Sequence, residues 1–468
     1  MTPTPSPSGD RLGVVEKIGY GLGDTSSNFF FQTFNIFLLY YYTDVFGISA
    51  VAAGWIFLAT RLIDAAADPV MGMLADRTRS RFGKFRPYLL WAAIPYGILG
   101  FMMFSNPVLS PTSKVAFAAV TYTLMMLAYT AVNIPYSALM GVISPSSVER
   151  TSVSTYRFVC AFGGGMIIAS TVTRLKTVLG GGNEALGFKL TMAIFAVLSV
   201  ALFWFTFAST RERVQSKDEG ETSAWKDLGF LFRNRPWIIL FFAALFTLTN
   251  VAVRNGVAVY YFKYLVKDTG ERVFWWMDQT SLFMTLPNLA LIAGVACTPL
   301  LSKRWSKRSL MIVCSGLNAL AMASFFIIPP DRFVLMNVVN FAGTFVAGPT
   351  VALVWSMYAD AADFGEWKFR RRTTGLVFSA ALFAQKAGLG VGAGLAGWAL
   401  SYFGFVANAA QSDRSLFGIR VLFCLAPAAF ALLNTLALCV YPLDETTVKQ
   451  IELDLAARKA GAPVPAVS

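Results

Sequence analysis

The chain contains no histidine, which removes imidazole metal sites, histidine proton shuttles and every His-dependent catalytic triad from consideration. Proton chemistry here must run on carboxylates. Charge is also scarce: 14% of the 468 residues are Asp, Glu, Lys or Arg, against about a quarter in an ordinary globular chain. Hydrophobic residues reach 56%, with 41 phenylalanines, and so few charges cannot cover that much apolar surface in water. Cysteine is sparse and shows no pairing pattern. Cys160, Cys297, Cys314, Cys424 and Cys439 lie singly in apolar segments without CxxC spacing, so neither a disulfide framework nor a zinc site is expected. Residues 1–11 are rich in Pro, Ser and Thr and lack a compact apolar run with a cleavage site. No signal peptide is expected, and residues 1–14 read as a disordered tail.

What is abundant comes in blocks. Apolar stretches fall near 15–43, 49–75, 88–106, 114–143, 153–173, 187–208, 236–265, 279–302, 309–328, 333–358, 374–405 and 416–441, each close to the roughly 20 residues that span hydrocarbon. Lipid requires such spans to be helices, because open strands would leave unpaired backbone groups there. The expected class is an all-α polytopic membrane protein of about twelve spans. The longest connection, 209–235, separates an N-terminal six-helix bundle (15–208) from a C-terminal one (236–441), with a tail at 442–468. Within that connection Trp225, Leu228, Leu231 and Phe232 recur at helical spacing, which fits a short interfacial helix and equally an unstructured linker. A Gly-centred charged loop at 76–84 has a positional counterpart at 363–368.

The net charge is +13, but the positive residues do not form a solvated patch with interleaved aromatics, so nucleic acid is not an expected partner. They concentrate in alternate loops, at 77–86, 211–235, 303–308 and 368–372. The positive-inside rule then places both termini in the cytoplasm.

An ionised side chain at mid-bilayer costs about 2.5 to 3.5 kcal/mol on insertion scales, so each needs a partner or a purpose. The second span carries Arg61, Asp64 and Asp68 at i, i+3 and i+7, on one helix face. Two carboxylates about 6 Å apart repel by roughly 3 kcal/mol at an effective dielectric near 20. Both stay ionised only if a cation joins them, which points to a coupling site for a proton or Na⁺. The plainer alternative is a buried ion pair from Arg61 to one aspartate, which leaves the second carboxylate over. The first span supplies Asp24, Asn28, Gln32 and Asn35, a polar stripe suited to a water-filled cavity and to sugar hydroxyls. Hydrogen bonding between helices is the competing explanation. Asn133, Arg157, Arg254 and Lys386 are the remaining deep polar candidates. Arg157 and Lys386 bring positive charge from both halves, either to balance the aspartates or to hold an anionic substrate. Arg254 is near enough to a helix end to snorkel. Trp355 reads as lipid-facing packing or as a sugar-stacking platform. No nucleophile–base constellation is visible in the spans, so an enzyme is not expected.

Taken as a set, the stretches Lys17–Asp24, Tyr41–Gly47, Asp64–Gly72, Asp76–Pro87, Asn133–Tyr136 and Asp363–Glu366 resemble the glycoside–pentoside–hexuronide:cation symporters, the melibiose-carrier branch of the major facilitator superfamily. The resemblance implies a major facilitator fold of two six-helix bundles and alternating access. It implies symport of a glycoside with H⁺, Na⁺ or Li⁺ across a bacterial inner membrane, with no cofactor and a monomeric carrier. Position by position, Asp64 and Asp68 match the family's cation-site carboxylates and Thr130 matches the hydroxyl completing that site. Arg157 and Lys386 match charged residues of the sugar cavity and cation site, and Tyr129 matches an aromatic beside the sugar.

This sequence also departs from the melibiose-carrier pattern. Asn28 and Asn133 stand where that carrier has sugar-binding aspartates, and Ser137 stands where it has a cavity Trp. The pattern is closer to xyloside-like and glucuronide-like members. Ala67 occupies the place of an Asn oxygen in a Na⁺-coupled member, and losing a ligand weakens metal binding more than protonation. The expectation is proton-coupled import of a small glycoside, with Asp24, Asn28, Tyr129, Asn133, Arg157, Trp355 and Lys386 around the sugar. An anionic sugar such as a glucuronide, and a lysolipid translocase on the same fold, are the alternatives.

Overall fold

The computed structural model describes residues 12–213, 231–370 and 374–459. These are helical almost throughout, and among them the only extended pairing is an isolated bridge between Phe274 and Met277. The described residues divide into two units: the first takes 12–213, Lys267–Thr285 and Val406–Ala410, and the second takes the other described residues.

The N-terminal half supplies α1 (Val14–Ile36), α2 (Ala50–Arg77), α3 (Arg86–Trp91), α4 (Ala93–Met103), α5 (Pro111–Val142), α6 (Ser147–Gly180) and α7 (Glu184–Ser209). The C-terminal half supplies α8 (Arg235–Tyr260), α9 (Gln279–Leu301), α10 (Lys307–Ser324), α11 (Phe333–Phe369), α12 (Thr374–Tyr402), α13 (Asp413–Cys439) and α14 (Glu445–Lys459). Among the described residues, nine helices are long and apolar enough to cross a membrane. The other three expected spans are also helical but fall short for local reasons. Glu16, Lys17 and Asp24 dilute α1, the third span breaks at Ala92 into α3 and α4, and α10 is 18 residues long and opens on Lys307-Arg308. Helix starts follow from capping. Ser49, Ser110, Ser146, Asn183, Asn234, Ser306 and Ser412 each accept the amide N–H three residues on, satisfying a donor that the first helical turn leaves open.

The two halves repeat a backbone irregularity. From the second residue of a Tyr-Tyr pair each half makes a π-helical turn, Tyr41–Phe46 in one and Tyr261–Val266 in the other; α8 runs straight into its turn, whereas α1 ends at Ile36 and a short helical stretch, Leu38–Tyr40, leads into the first. They also repeat a close approach. A Cβ on Gly164 of α6 would lie 3.0 Å from the Thr25 carbonyl of α1, and one on Gly388 of α12 would lie 2.6 Å from the Leu245 carbonyl of α8.

Two expectations need correction. The tenth span does not stop at 358: α11 continues to Phe369, so Asp363–Lys368 is helix with Gly365 buried, and the chain turns only at Arg370, φ 55°. Its proposed counterpart around Gly83 is a true turn at φ 106°, so the two charged segments are not equivalent loops. In the middle connection, Trp225 and Leu228 lie outside the described residues. Leu231 is buried with Trp237 and Leu240 in the core of the second unit, and Phe232 is exposed. Beyond the last span, α14 adds Ile451 and Leu455 to the same core, and the Trp367 indole N–H donates to Asp454 at 2.8 Å.

Candidate functional site

In the first unit, Asp64 is fully buried, Arg61 is 6% exposed and Asp68 is half-buried, as their shared face of α2 requires. Thr130 of α5 stands between the carboxylates, with its hydroxyl oxygen 2.6 Å from Asp64 Oδ1 and 3.2 Å from Asp68 Oδ1. One hydroxyl hydrogen cannot fully serve two carboxylates, so Thr130 is shared between the two acids and brings three side-chain oxygens together. Pro69 follows inside the helix and, having no N–H, leaves the Ala65 carbonyl without its usual donor. Position 67 is alanine and brings no side-chain oxygen. Among the described residues, no group of three or more His, Cys, Asp or Glu side chains is placed to hold a metal ion.

Arg61 Nη1 lies 3.8 Å from Asp64 Oδ2, an ion-pair contact longer than a hydrogen bond. Its guanidinium also sits 5.9 Å over the ring of Phe31. At the 3.8 Å of the Arg61–Asp64 contact an ionised carboxylate attracts the guanidinium by about 4 kcal/mol at an effective dielectric near 20, whereas a ring face offers about 0.5 to 2 kcal/mol. The carboxylate wins while it is charged.

A second cluster forms around Asp24, which is 8% exposed. Arg157 of α6 donates from Nε to Asp24 Oδ2 at 2.8 Å, and its guanidinium lies 5.3 Å from the centre of the Tyr136 ring. Tyr136 stacks on Tyr20, and each hydroxyl donates to the other's backbone carbonyl at 2.7 and 3.0 Å. The charge of Arg157 is therefore directed at Asp24. Asn28 and Asn35 each donate to the carbonyl four residues back, at 2.9 and 3.0 Å, so the stripe on α1 is partly self-satisfied. Asn133 accepts from Ser27 at 3.1 Å, while its Nδ2 is buried with no hydrogen-bond partner among the described residues. Tyr129 stacks on Phe31 at 5.9 Å and 24°.

The remaining candidates belong to the second unit. Trp355 stacks on Phe378 at 6.1 Å and meets Tyr358 edge-on at 5.9 Å, and it packs against that unit's core. Lys386 is half-buried on α12. Arg254 does not snorkel. It is 9% exposed, sandwiched between Phe325 and Phe423 at 4.7 and 4.8 Å, and donates to Asn340 at 3.1 Å. Sequence reasoning passed over Ser27, Phe31 and Tyr136. Phe31 sits at i+7 from Asp24 and i+3 from Asn28, so helical phase alone could have flagged it.

Comparison with known proteins adds to this geometry. The sequence model of a family described as MFS/sugar transport protein matches residues 19–445. The chain is 36% identical over 462 residues to the putative glycoside/cation symporter YagG of Escherichia coli K12, covering 97% of this chain and 98% of that protein. It is 34% identical to the isoprimeverose transporter of Lactiplantibacillus pentosus, covering 93% and 90% respectively. Among solved structures, the nucleoside transporter NupG aligns with a TM-score of 0.61 at 12% identity over 92% of this chain and 99% of that one. At such identity the likeness is one of fold.

Proposed function

The chain belongs to the MFS/sugar transport family and, within it, to the glycoside–pentoside–hexuronide:cation symporters, and on that premise we propose that it imports a small neutral glycoside together with a proton. It is a multi-pass membrane transporter of major facilitator fold, working by alternating access. We place it in a bacterial inner membrane as a monomer with both termini inside, following the loop charges. The observation that carries the coupling assignment is Thr130 Oγ1 at 2.6 and 3.2 Å from the two carboxylates of a buried pair.

Asp64, Asp68 and Thr130 form the coupling site, with Arg61 as charge partner. Three converging side-chain oxygens and an alanine at position 67 make a thin shell for a metal cation, since hard cations such as Ca²⁺ gather six or more oxygens. A proton needs one lone pair. Loading relieves the repulsion within the pair and favours the sugar-binding state. Asp24, Asn28, Asn133, Tyr129 and Arg157 then supply hydroxyl partners and an aromatic wall, with Trp355 and Lys386 as candidates from the second unit. The pairing of Arg157 with Asp24 supports a neutral substrate, because an anionic sugar would have to displace a carboxylate already in place. Isoprimeverose, carried by one relative, sets the kind of sugar to try first.

The test is external pH in lightly buffered, sodium-free, de-energised cells given xylosides, glucosides, galactosides and glucuronides in turn. Alkalinisation by one neutral class is the expected result, and Asp68→Asn should abolish both this response and uphill accumulation. Alkalinisation by glucuronides alone would move the assignment to an anionic sugar. Uptake that appears only with Na⁺ would overturn the proton, and accumulation at wild-type level in Asp68→Asn would overturn the site.

A further inference from the structure

We infer that Phe31 is the positioning residue through which loading of the Asp64/Asp68 pair is felt on the sugar side of the site. The inference rests on the cation-coupled reading above and assigns a role to a side chain outside both proposed ligand sets.

Three helices meet on this one ring. Phe31 is a half-buried residue of α1, on the same face as Asp24 and Asn28. From α2, the Arg61 guanidinium lies 5.9 Å over the ring. From α5, Tyr129 stacks on it at 5.9 Å, and the next residue, Thr130, is the one held by the carboxylates. Among the described residues, the charged and titratable groups around this junction include Arg61, Asp64 and Asp68 of α2, Tyr122 and Tyr129 of α5, Asp24 of α1 and Arg157 of α6.

The chain of cause runs through competition for Arg61. While the pair is unloaded, Asp64 draws the guanidinium, because an ionised carboxylate outbids a ring face. A cation on the pair cancels that attraction and leaves Arg61 to its hydrogen bond with Tyr122 and to the face of Phe31. The guanidinium then bears on the ring, and the ring holds Tyr129 in its stacked position beside the sugar wall. Sugar binds the loaded form more tightly, and by linkage it tightens the cation equally. Leucine at this position would fill similar space without a quadrupole, whereas tyrosine would keep one.

The experiment uses purified protein in proteoliposomes with p-nitrophenyl β-xyloside as the probe. Affinity is measured with the coupling cation saturating and then absent, alongside uphill accumulation and sugar exchange. Wild type should tighten about tenfold on loading, within the usual range of such couplings. Phe31→Leu should tighten about twofold or less, lose accumulation and keep exchange, and Phe31→Tyr should restore both. If the leucine variant does not fold, Phe31→Met makes the same comparison. A leucine or methionine variant that tightens like wild type overturns the inference. So does one that binds poorly whether loaded or not, since the ring would then be a direct sugar contact. No tightening in wild type with either protons or Na⁺ strikes the coupled reading itself, and the inference falls with it.

Discussion

The two halves share a scaffold and differ in their charge. Each opens on a helix that is followed, directly or after a short helical stretch, by a π-helical turn, and each lays that helix against a later one across a glycine. Yet Asp24, Asp64 and Asp68 are on α1 and α2 of the first half, while in the second half, among the described residues, the buried charges are Asp278, outside the helices, and Arg254, stacked between two phenyl rings. Asp360 of α11 is met by Lys307 from the start of α10 at 2.7 Å. Backbone packing is thus duplicated, whereas the carboxylates clustered on the first two helices, Asp24, Asp64 and Asp68, belong to one half. A carrier of this kind needs two similar bodies to move, but only one coupling site.

That contrast can be attacked at several points. Arg157→Gln should have the largest effect, because it leaves Asp24 buried without its guanidinium, at about 3 kcal/mol. Thermal unfolding in detergent would read this as a fall of several degrees, and Asp24→Asn in the same chain should recover part of it. Next comes Gly388→Ala, which forces a Cβ to 2.6 Å from a carbonyl and should cost about 2 kcal/mol as overpacking. Gly164→Ala meets its neighbour at 3.0 Å and should cost clearly less, so equal losses would show that the two contacts are more alike than their distances. Thr130→Val removes the shared hydroxyl and should weaken the coupling cation about tenfold, or 1.4 kcal/mol, as read from the cation dependence of sugar uptake. The smallest effect is expected from Arg254→Lys. It keeps the charge but not the plane that stacks between Phe325 and Phe423, so stability should drop by about 1 kcal/mol with coupling intact. A loss of coupling there would break the division of labour between the halves.

Much of this was legible in the letters. Apolar run length gave the spans, and the i, i+3, i+7 spacing of Arg61, Asp64 and Asp68 put them on one face, as found. Hydropathy could not locate the end of α11, because Asp363, Glu366 and Lys368 look like a loop when the helix simply continues past the apolar block. It could not place Arg254 either, since snorkelling and an aromatic sandwich call for the same residue and differ only in which rings lie nearby. The pairing of Arg157 with Asp24 joins residues 133 positions apart, which no periodicity reports. Phe31 was hidden for the opposite reason: among 41 phenylalanines, one more is not a signal until its neighbours are known.

The π-helical turns have a consequence for counting. A π turn carries roughly one residue more than an α turn, and each α-helical residue advances the chain by about 100°. The six residues Tyr41–Phe46 therefore act as a phase setter for the chain that leaves them. At their end the Phe46 carbonyl meets the Lys114 ammonium at 2.8 Å, and Gly47 takes a φ of 82°. Letters inside the turn can change, as Tyr261–Val266 shows with a different set, but deleting one residue would swing that exit by roughly 100°, somewhat more than a quarter of a revolution. Loops tolerate changes in length; at these two places the chain keeps count.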